Sequence, residues 1–408
     1  MRKKTICLIT DWYPTPDNPY RGSFFKEQAF AVADSFDFVI VHYKELVKKK
    51  PGKKYICREI NKERNTKEYS LDLFIPLQMF MRDITYDQKR RHTAGVEEGV
   101  GKYVSPQRKK YVRDNIIKAF NNNIGNDFDA LYCVDAQREA YAVSCVAWEF
   151  GKPYILGEHG VVPWPGTVIT DTNKHAIENG NLFLAISNDK VRQMMLQNIK
   201  LPPIVYMGNL IDEQQFTIQK NKKDDIKTIT IVASNSFYKN FDMFIDVMER
   251  LTKIADKPFK VLVAGYGANK GYAKNIDSLE NKLRSSAFSD RLELIASVPR
   301  DRIASIYQRS DAFVMTSIQE GQPVSAMEAA CCGLPIFSTK CGGVEDYVTD
   351  EIGRLYGITD SEGMAEGLND FLNGEICFDP ESIRNIVVNL FGRKAFTNKF
   401  TETFMSVI

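Results

Sequence analysis

Asp311-Ala-Phe-Val-Met-Thr-Ser317-Ile-Gln-Glu320-Gly321-Gln322-Pro323-Val324-Ser-Ala-Met-Glu328-Ala-Ala330 reads as a strand, a turn and a helix in direct succession. Ala312 to Ser317 is a short apolar run that ends in turn residues, the pattern of a buried strand. From Val324 onward, Val-Ser-Ala-Met-Glu-Ala-Ala carries helix formers. Glu320 and Glu328 therefore bracket a strand-to-helix turn. Glu320 falls at the carboxyl edge of the strand, where open α/β sheets bind ligands, and Glu328 about one helical turn further in. Between them the first N–H groups of the helix are open to anionic or polar oxygens. Glu320 is thus placed to hold a hydroxyl-rich ligand at the turn, and Glu328 to grip a second part of it.

Downstream, Cys332-Gly333-Leu334-Pro335-Ile336-Phe337 gives a helix stop and a strand, and Lys340-Cys341-Gly342-Gly343-Val344-Glu345-Asp346 a second glycine turn. The same strand and helix rhythm runs through the chain. Ile226 to Ser234, Phe259 to Gly265, Leu292 to Ser297 and Pro335 to Ser338 join Ala312 to Ser317 as strands. The first half repeats it at Thr5 to Thr10, Asp37 to His42, Ala130 to Val134, Pro153 to Leu156 and Leu182 to Ile186. Strands alternating with helical windows predict an α/β protein with two doubly wound sheets. The polar stretch Gln214 to Asp225 is the linker candidate, giving domains 1–213 and 214–392, with a terminal helix at 393–408 packing back on the first.

This pattern resembles glycosyltransferase family 4, the retaining group 1 glycosyl transferases of GT-B fold, in which two Rossmann-like domains face a cleft. The resemblance implies that Glu320 contacts the donor sugar and Glu328 the ribose, with Gly321, Gln322, Pro323 and Val324 forming the turn around the nucleotide sugar. Asp11-Trp-Tyr-Pro14 with Tyr20-Arg-Gly22-Ser-Phe-Phe-Lys-Glu-Gln28 is similar to the family's first strand, glycine turn and helix. Gly22 would let backbone approach a phosphate or the acceptor. Lys152-Pro-Tyr-Ile-Leu-Gly-Glu-His159-Gly160 resembles the strand whose histidine lies beside the reacting sugar. In Ile231-Val-Ala-Ser234-Asn235-Ser-Phe-Tyr-Lys239, Lys239 matches one half of the family's cationic clamp on the diphosphate. Ser234 or Asn235 stands at the position of its arginine. Val263-Ala-Gly265-Tyr-Gly267 resembles a strand-end glycine turn, with Lys270 where a dinucleotide fingerprint needs its third glycine. Val298 falls on the loop whose backbone faces the base, and Tyr206 to Phe216 on the segment that closes the first domain.

Composition sets limits. A net charge of +2 over 408 residues implies no nucleic-acid partner. Met1-Arg-Lys-Lys4 and its apolar sequel imitate a signal peptide, but Asp11 ends the run after one strand's length, and no run is long enough to span a membrane. Eight cysteines without a Cys-x-x-Cys pair read as reduced core residues of a cytoplasmic protein. His42, His92, His159 and His175 lack ligand spacing, and Asp127-Phe-Asp129 precedes its strand, at the edge away from ligands, so no metal is expected. Ten basic and four acidic residues lie between Lys44 and Glu68, ahead of the apolar Leu71 to Met81. Such a stretch suits peripheral contact with an anionic membrane at its inner face, or a solvated loop beside a buried segment.

The expected activity is transfer of a hexose from a nucleoside diphosphate sugar, a UDP-sugar first, to a hydroxyl acceptor, lipid-linked acceptors included, in surface polysaccharide or glycolipid assembly. Glu320, His159 and Lys239 are the expected catalytic residues, and no cofactor is expected. A GT-B sugar-nucleotide epimerase and a non-enzymatic nucleotide or membrane binder are the rival readings.

Overall fold

The computed structural model describes residues 2–14, 22–50, 52–94, 103–160, 162, 169–219, 225–267 and 276–408, with backbone alone for 90–94. Most of the charged part of the linker candidate, and Lys270, lie outside the described residues. The chain divides into two compact units, Met1–Gly208 with Thr397–Ile408, and Asn209–Phe396.

The first unit is built on eight strands: β1 (Lys4–Thr10), β2 (Phe36–Lys48), β3 (Tyr55–Glu63), β4 (Thr66–Pro76), β5 (Ala130–Cys133), β6 (Tyr154–Glu158), β7 (Leu182–Ala185) and β8 (Ile204–Tyr206). Their order is β3-β4-β2-β1-β5-β6-β7-β8, with every pair parallel except β3 against β4. Helices α1 (Ser23–Ala31), α2 (Leu77–Ala94), α3 (Pro106–Ala119), α4 (Ala136–Phe150), α5 (Asp171–Glu178) and α6 (Asn188–Leu196) connect them. The four residues of β5 are all buried, as a parallel strand covered on both faces requires. Cys7 and Cys133 sit in this core among Ile9, Leu131 and Phe183, and burial pushes both thiols up. Along the terminal helix, Phe400 and Phe404, one turn apart, stack at 4.2 Å and meet Phe36 and Tyr132 edge-on.

The basic stretch from Lys44 is not a loop. β2 runs on to Lys48, and β3 and β4 form a hairpin on the sheet edge. Its two-residue turn puts Arg64 at φ 47°, and Asn65 ties it down by donating to the Ala29 and Phe36 carbonyls. The apolar run Leu71 to Met81 splits at Pro76 into the end of β4 and the start of α2. Strand pairing with β2 explains the difference: alternation in a charged strand is weak until a neighbour fixes which face is buried.

The second unit holds six parallel strands, β9 (Lys227–Val232), β10 (Phe259–Ala264), β11 (Leu292–Ile295), β12 (Ala312–Met315), β13 (Ile336–Thr339) and β14 (Gly353–Tyr356), in the order β11-β10-β9-β12-β13-β14. Around them lie α7 (Phe241–Ile254), α8 (Ile276–Arg284), α9 (Ile303–Gln308), α10 (Val324–Cys331), α11 (Ser361–Asn373) and α12 (Pro380–Phe391); α13 (Arg393–Met405) starts in this unit and from Thr397 onward belongs to the first. Period-two alternation sends Phe313 and Met315 into one core with Leu262 and Ile336, and Ala312 and Val314 into the other with Val261 and Phe337. Gly353 lets β14 approach β13: a Cβ there would lie 1.9 Å from the Ile336 carbonyl oxygen.

Each sheet has one place where the strand order reverses. In the first unit it lies between β1 and β5, in the second between β9 and β12. At such a point the crossovers leave to opposite faces and open a crevice at the carboxyl ends of the strands.

Candidate active site

At the reversal in the second unit, Lys239 follows β9 on a one-turn 3₁₀ helix, Phe237–Lys239, and Glu320 follows β12. The two meet, with Lys239 Nζ 2.5 Å from Glu320 Oε1. Ser317 Oγ donates to the same carboxylate oxygen at 2.7 Å. Their backbones are pinned as well. Thr316 Oγ1 donates to the carbonyls of Lys239 and Asn240, both at 3.1 Å, and the Ile318 N–H donates to the Tyr238 carbonyl. Glu320 extends the β12–β13 pairing by bridging to Gly342, its N–H donating to the Cys341 carbonyl at 2.7 Å. A Cβ on Gly343 would stand 1.9 Å from the Gly321 carbonyl oxygen, so glycine is what lets the two turns touch. The carboxylate is only partly buried, its side chain 16% exposed, and stays within reach of a ligand.

Glu328 is held differently. Its side chain is 4% exposed; Arg300 Nη1 donates to Oε1 and the Tyr307 hydroxyl to Oε2 at 3.0 Å. A buried carboxylate needs such partners, since an unpaired charge in the interior costs several kcal/mol. Burial, and then the charge of Glu328, push the Tyr307 phenol well up, so it stays a donor. Arg300 packs its guanidinium 5.3 Å from the Phe216 ring centroid. The sequence reading missed Arg300, two residues beyond Val298, and Ser317, three before Glu320. A strand-end cation beside a base-contact candidate and a hydroxyl one turn from a carboxylate were the available signals.

The remaining residues of the turn are structural neighbours of this pair. Gln322 is buried and accepts the Asn209 N–H at 2.5 Å, while Pro323 precedes α10 and Val324 opens it with no side-chain cap on the helix. Ser234 and Asn235 follow β9, where the Asn235 N–H reaches the Tyr266 carbonyl. Gly265 takes φ 82° at the end of β10, and Val298 packs partly into the core.

The reversal in the first unit is lined by carboxylates. Glu139 on α4 accepts the Asp11 N–H at 2.6 Å, beyond the end of β1. Asp135 precedes α4 but caps none of its N–H groups; it pairs with Arg138 instead. Glu158, closing β6, accepts the N–H groups of Gln137 at 3.0 Å and Gly160 at 2.8 Å. Burial raises Asp135 and carries Glu139 well above the carboxylate range, helped by the Asp135 charge. The same two causes, opposed by Lys190, bring Glu158 to about 8. His159 comes next in the chain, its ring 4.7 Å edge-on from Phe25 of α1. Gly22, at φ 62°, starts α1; a Cβ on it would meet the Trp12 carbonyl oxygen at 2.4 Å. Asp127 and Asp129 pair instead with Arg2 and Lys4 at the far edge. Among the described residues, no group of three or more His, Cys, Asp or Glu could hold a metal ion.

Two doubly wound units, each with one strand-order reversal, are the layout of a GT-B fold. Residues 212–386 match the family model described as glycosyl transferases group 1. Over 210 residues it is 24% identical to a phosphatidylinositol N-acetylglucosaminyltransferase component of Arabidopsis thaliana, covering 51% of this chain and 45% of that one. To the lipopolysaccharide 1,6-galactosyltransferase of Escherichia coli K12 it is 24% identical over 261 residues, covering 62% of this chain and 68% of the other. The chain thus spans about half the length of the Arabidopsis protein it matches. Among solved structures, Anabaena HepE in complex with UDP and glucose superposes with a TM-score of 0.64 at 14% identity, over 98% of this chain and 99% of HepE. The GT-B fold follows from that likeness.

Proposed function

We propose that the chain is a retaining hexosyltransferase of family 4 that moves a sugar from a nucleoside diphosphate sugar, a UDP-sugar first, to a hydroxyl acceptor in glycolipid or polysaccharide assembly. The carrying observation is the Lys239–Glu320–Ser317 group at the strand-order reversal, inside the segment that matches the family. The names of the Arabidopsis and E. coli relatives, one for N-acetylglucosamine transfer to phosphatidylinositol and one for galactose transfer to lipopolysaccharide, support hexose transfer onto lipid-linked acceptors. The UDP and glucose complex of HepE supports the donor. In this reading Glu320 orients the donor sugar, and Lys239 with the first N–H groups of α10 stabilises the departing diphosphate. That oxyanion in turn takes the acceptor's proton. Glu328 accepts from the ribose, which displaces Arg300 or shares the carboxylate with it. Acceptor hydroxyls meet the first unit at Asp11, Glu139 and His159. Lys44 to Met81, with Leu46 and Val47 exposed between Lys44 and Lys48 and Met81 exposed beside Arg82, rests on anionic membrane. Among the described residues no helix is long and apolar enough to cross one.

The test is incubation with UDP-glucose, UDP-galactose or UDP-N-acetylglucosamine in EDTA without acceptor. Slow release of UDP and free sugar is expected, undiminished by the chelator. An isomerised nucleotide sugar would favour an epimerase, and UDP binding without turnover a non-enzymatic binder. Activity lost in EDTA and restored by magnesium would remove the metal-independent mechanism.

A further inference from the structure

The turn that follows β6 carries His159, and side chains supply its backbone hydrogen bonds. β6 ends at Glu158, opposite Ala185, the last residue of β7, so the strand ladder goes no further. Past that point three buried side chains take over. Glu158 Oε1 accepts the Gly160 N–H at 2.8 Å, Lys190 Nζ donates to the Gly160 carbonyl, and Gln193 Oε1 accepts the Val162 N–H at 3.2 Å. Lys190 Nζ also donates to Gln193 Oε1 at 2.9 Å, which joins the last two. Gly160 and Val162 are buried, so their backbone groups need partners, and two of the three come from α6.

Lys190 and Gln193 lie one turn apart on α6 and are 0% and 2% exposed. Packing alone does not ask for an ammonium there. Val191 and Met194 already join α6 to the core, and Ser187 Oγ caps the helix by accepting the Lys190 N–H at 3.1 Å. A lysine stripped of water is costly unless acceptors and a countercharge meet it. Gly160 and Gln193 supply the acceptors, and the charge of Lys190 reaches Glu158, drawing its carboxyl down against burial. Between the two anchored neighbours, the His159 ring packs on α1, edge-on to Phe25 at 4.7 Å and 5.9 Å from Phe24.

We propose that Lys190 and Gln193 are positioning residues that hold His159 at the first reversal, Lys190 by fixing Gly160 and Gln193 by fixing Val162. Both are too deeply buried to touch substrate themselves. The inference rests on the transfer reading only for the chemistry that His159 performs; where its ring sits is tested apart from that.

The test uses the full chain. It has four histidines, so NMR of histidine-labelled protein separates their ring signals, with His159→Gln marking one set. In Lys190→Met, which keeps the apolar stem and removes the ammonium, the His159 ring resonances should shift or broaden while those of His42 and His175 stay in place. With UDP-glucose, UDP-galactose or UDP-N-acetylglucosamine as donor, kcat should fall about tenfold or more, and UDP affinity should stay within about twofold. Added to His159→Gln, Lys190→Met should lower kcat by less than about twofold further, since residues that act through one group are not additive. Gln193→Met should move the same resonances, and it keeps the test open if Lys190→Met fails to fold. Unmoved His159 resonances in a folded variant, or a loss in kcat that multiplies with that of His159→Gln, overturns the proposal. A wild-type chain that releases UDP from none of the donors counts against the transfer reading, and the resonances then decide the positioning alone.

Discussion

The two strand-order reversals solve opposite electrostatic problems. In the second unit each carboxylate of the pair has a cation, Glu320 with Lys239 and Glu328 with Arg300, so the crevice is close to neutral before any ligand enters. In the first unit Asp135, Glu139 and Glu158 crowd together; Asp135 has Arg138 beside it, while burial carries Glu139 well above the carboxylate range and Glu158 to about 8, so these two hold protons. A paired crevice can exchange an internal ion for a ligand's charge at small net cost. A protonated one offers both donors and acceptors, which suits hydroxyls. Substitutions at the two crevices should therefore differ in kind.

The largest effect is expected at Glu328. Glu328→Gln leaves Arg300 without its anion, and the cost of breaking a buried pair runs to about 3–5 kcal/mol. Arg300 keeps 31% of its side chain exposed, so the low end, about 3 kcal/mol in denaturant unfolding, is the expected loss. If the carboxylate also holds ribose, UDP affinity in the folded variant falls roughly tenfold, a loss of ~1.4 kcal/mol by calorimetry. Unchanged UDP affinity with the stability loss intact would make Glu328 a purely structural anchor and narrow the donor site to the Glu320 turn.

At Glu320 the balance shifts from stability to rate. The amide of Glu320→Gln keeps the size but forfeits the charge that holds Lys239 and orients hydroxyls. A fall in kcat of at least about 10²-fold is expected, roughly 2.7 kcal/mol of transition-state stabilisation, with UDP affinity nearly intact. Normal turnover, or UDP binding lost as badly as in Glu328→Gln, would dissolve the division of labour between the two carboxylates.

How legible this was in the sequence follows from how local each signal is. Strand, turn and helix at Ala312 to Ala330 are encoded within one short run, so the placement of Glu320 at a strand end emerged from the residues themselves. Strands β8 and β14 have three and four residues, with no periodicity of their own to display. The β3–β4 hairpin was hidden for another reason: Arg58, Glu59, Asn61 and Lys62 are exposed on an edge strand, where charge is what protects an edge. The partnership of Glu328 with Arg300 joins residues 28 apart through the sheet, and no spacing rule anticipates it. The first unit's carboxylates were equally invisible, because Asp135, Glu139 and Glu158 become a cluster only when β5 and β6 pair.

That cluster supplies the smallest expected effect and the sharpest contrast with the paired crevice. Glu158, at about 8 when folded, keeps its proton through a range in which an unfolded glutamate, near 4.5, has lost it. The folded state then binds more protons than the unfolded one, so stability falls as pH rises from 4.5 to 8 and levels off above. One such group contributes at most ~1.4 kcal/mol per pH unit. Between about pH 6.5 and 7.5, the wild-type chain should lose about that much in denaturant unfolding, while Glu158→Gln, which retains an acceptor for the Gln137 and Gly160 N–H groups, should lose less. Glu328→Gln should leave the slope as it is, since that carboxylate belongs to the other unit and already has its cation. A wild-type slope that rises with pH, or one that Glu158→Gln does not flatten, would mean that Lys190 keeps Glu158 ionised and that the first crevice is charge-paired after all.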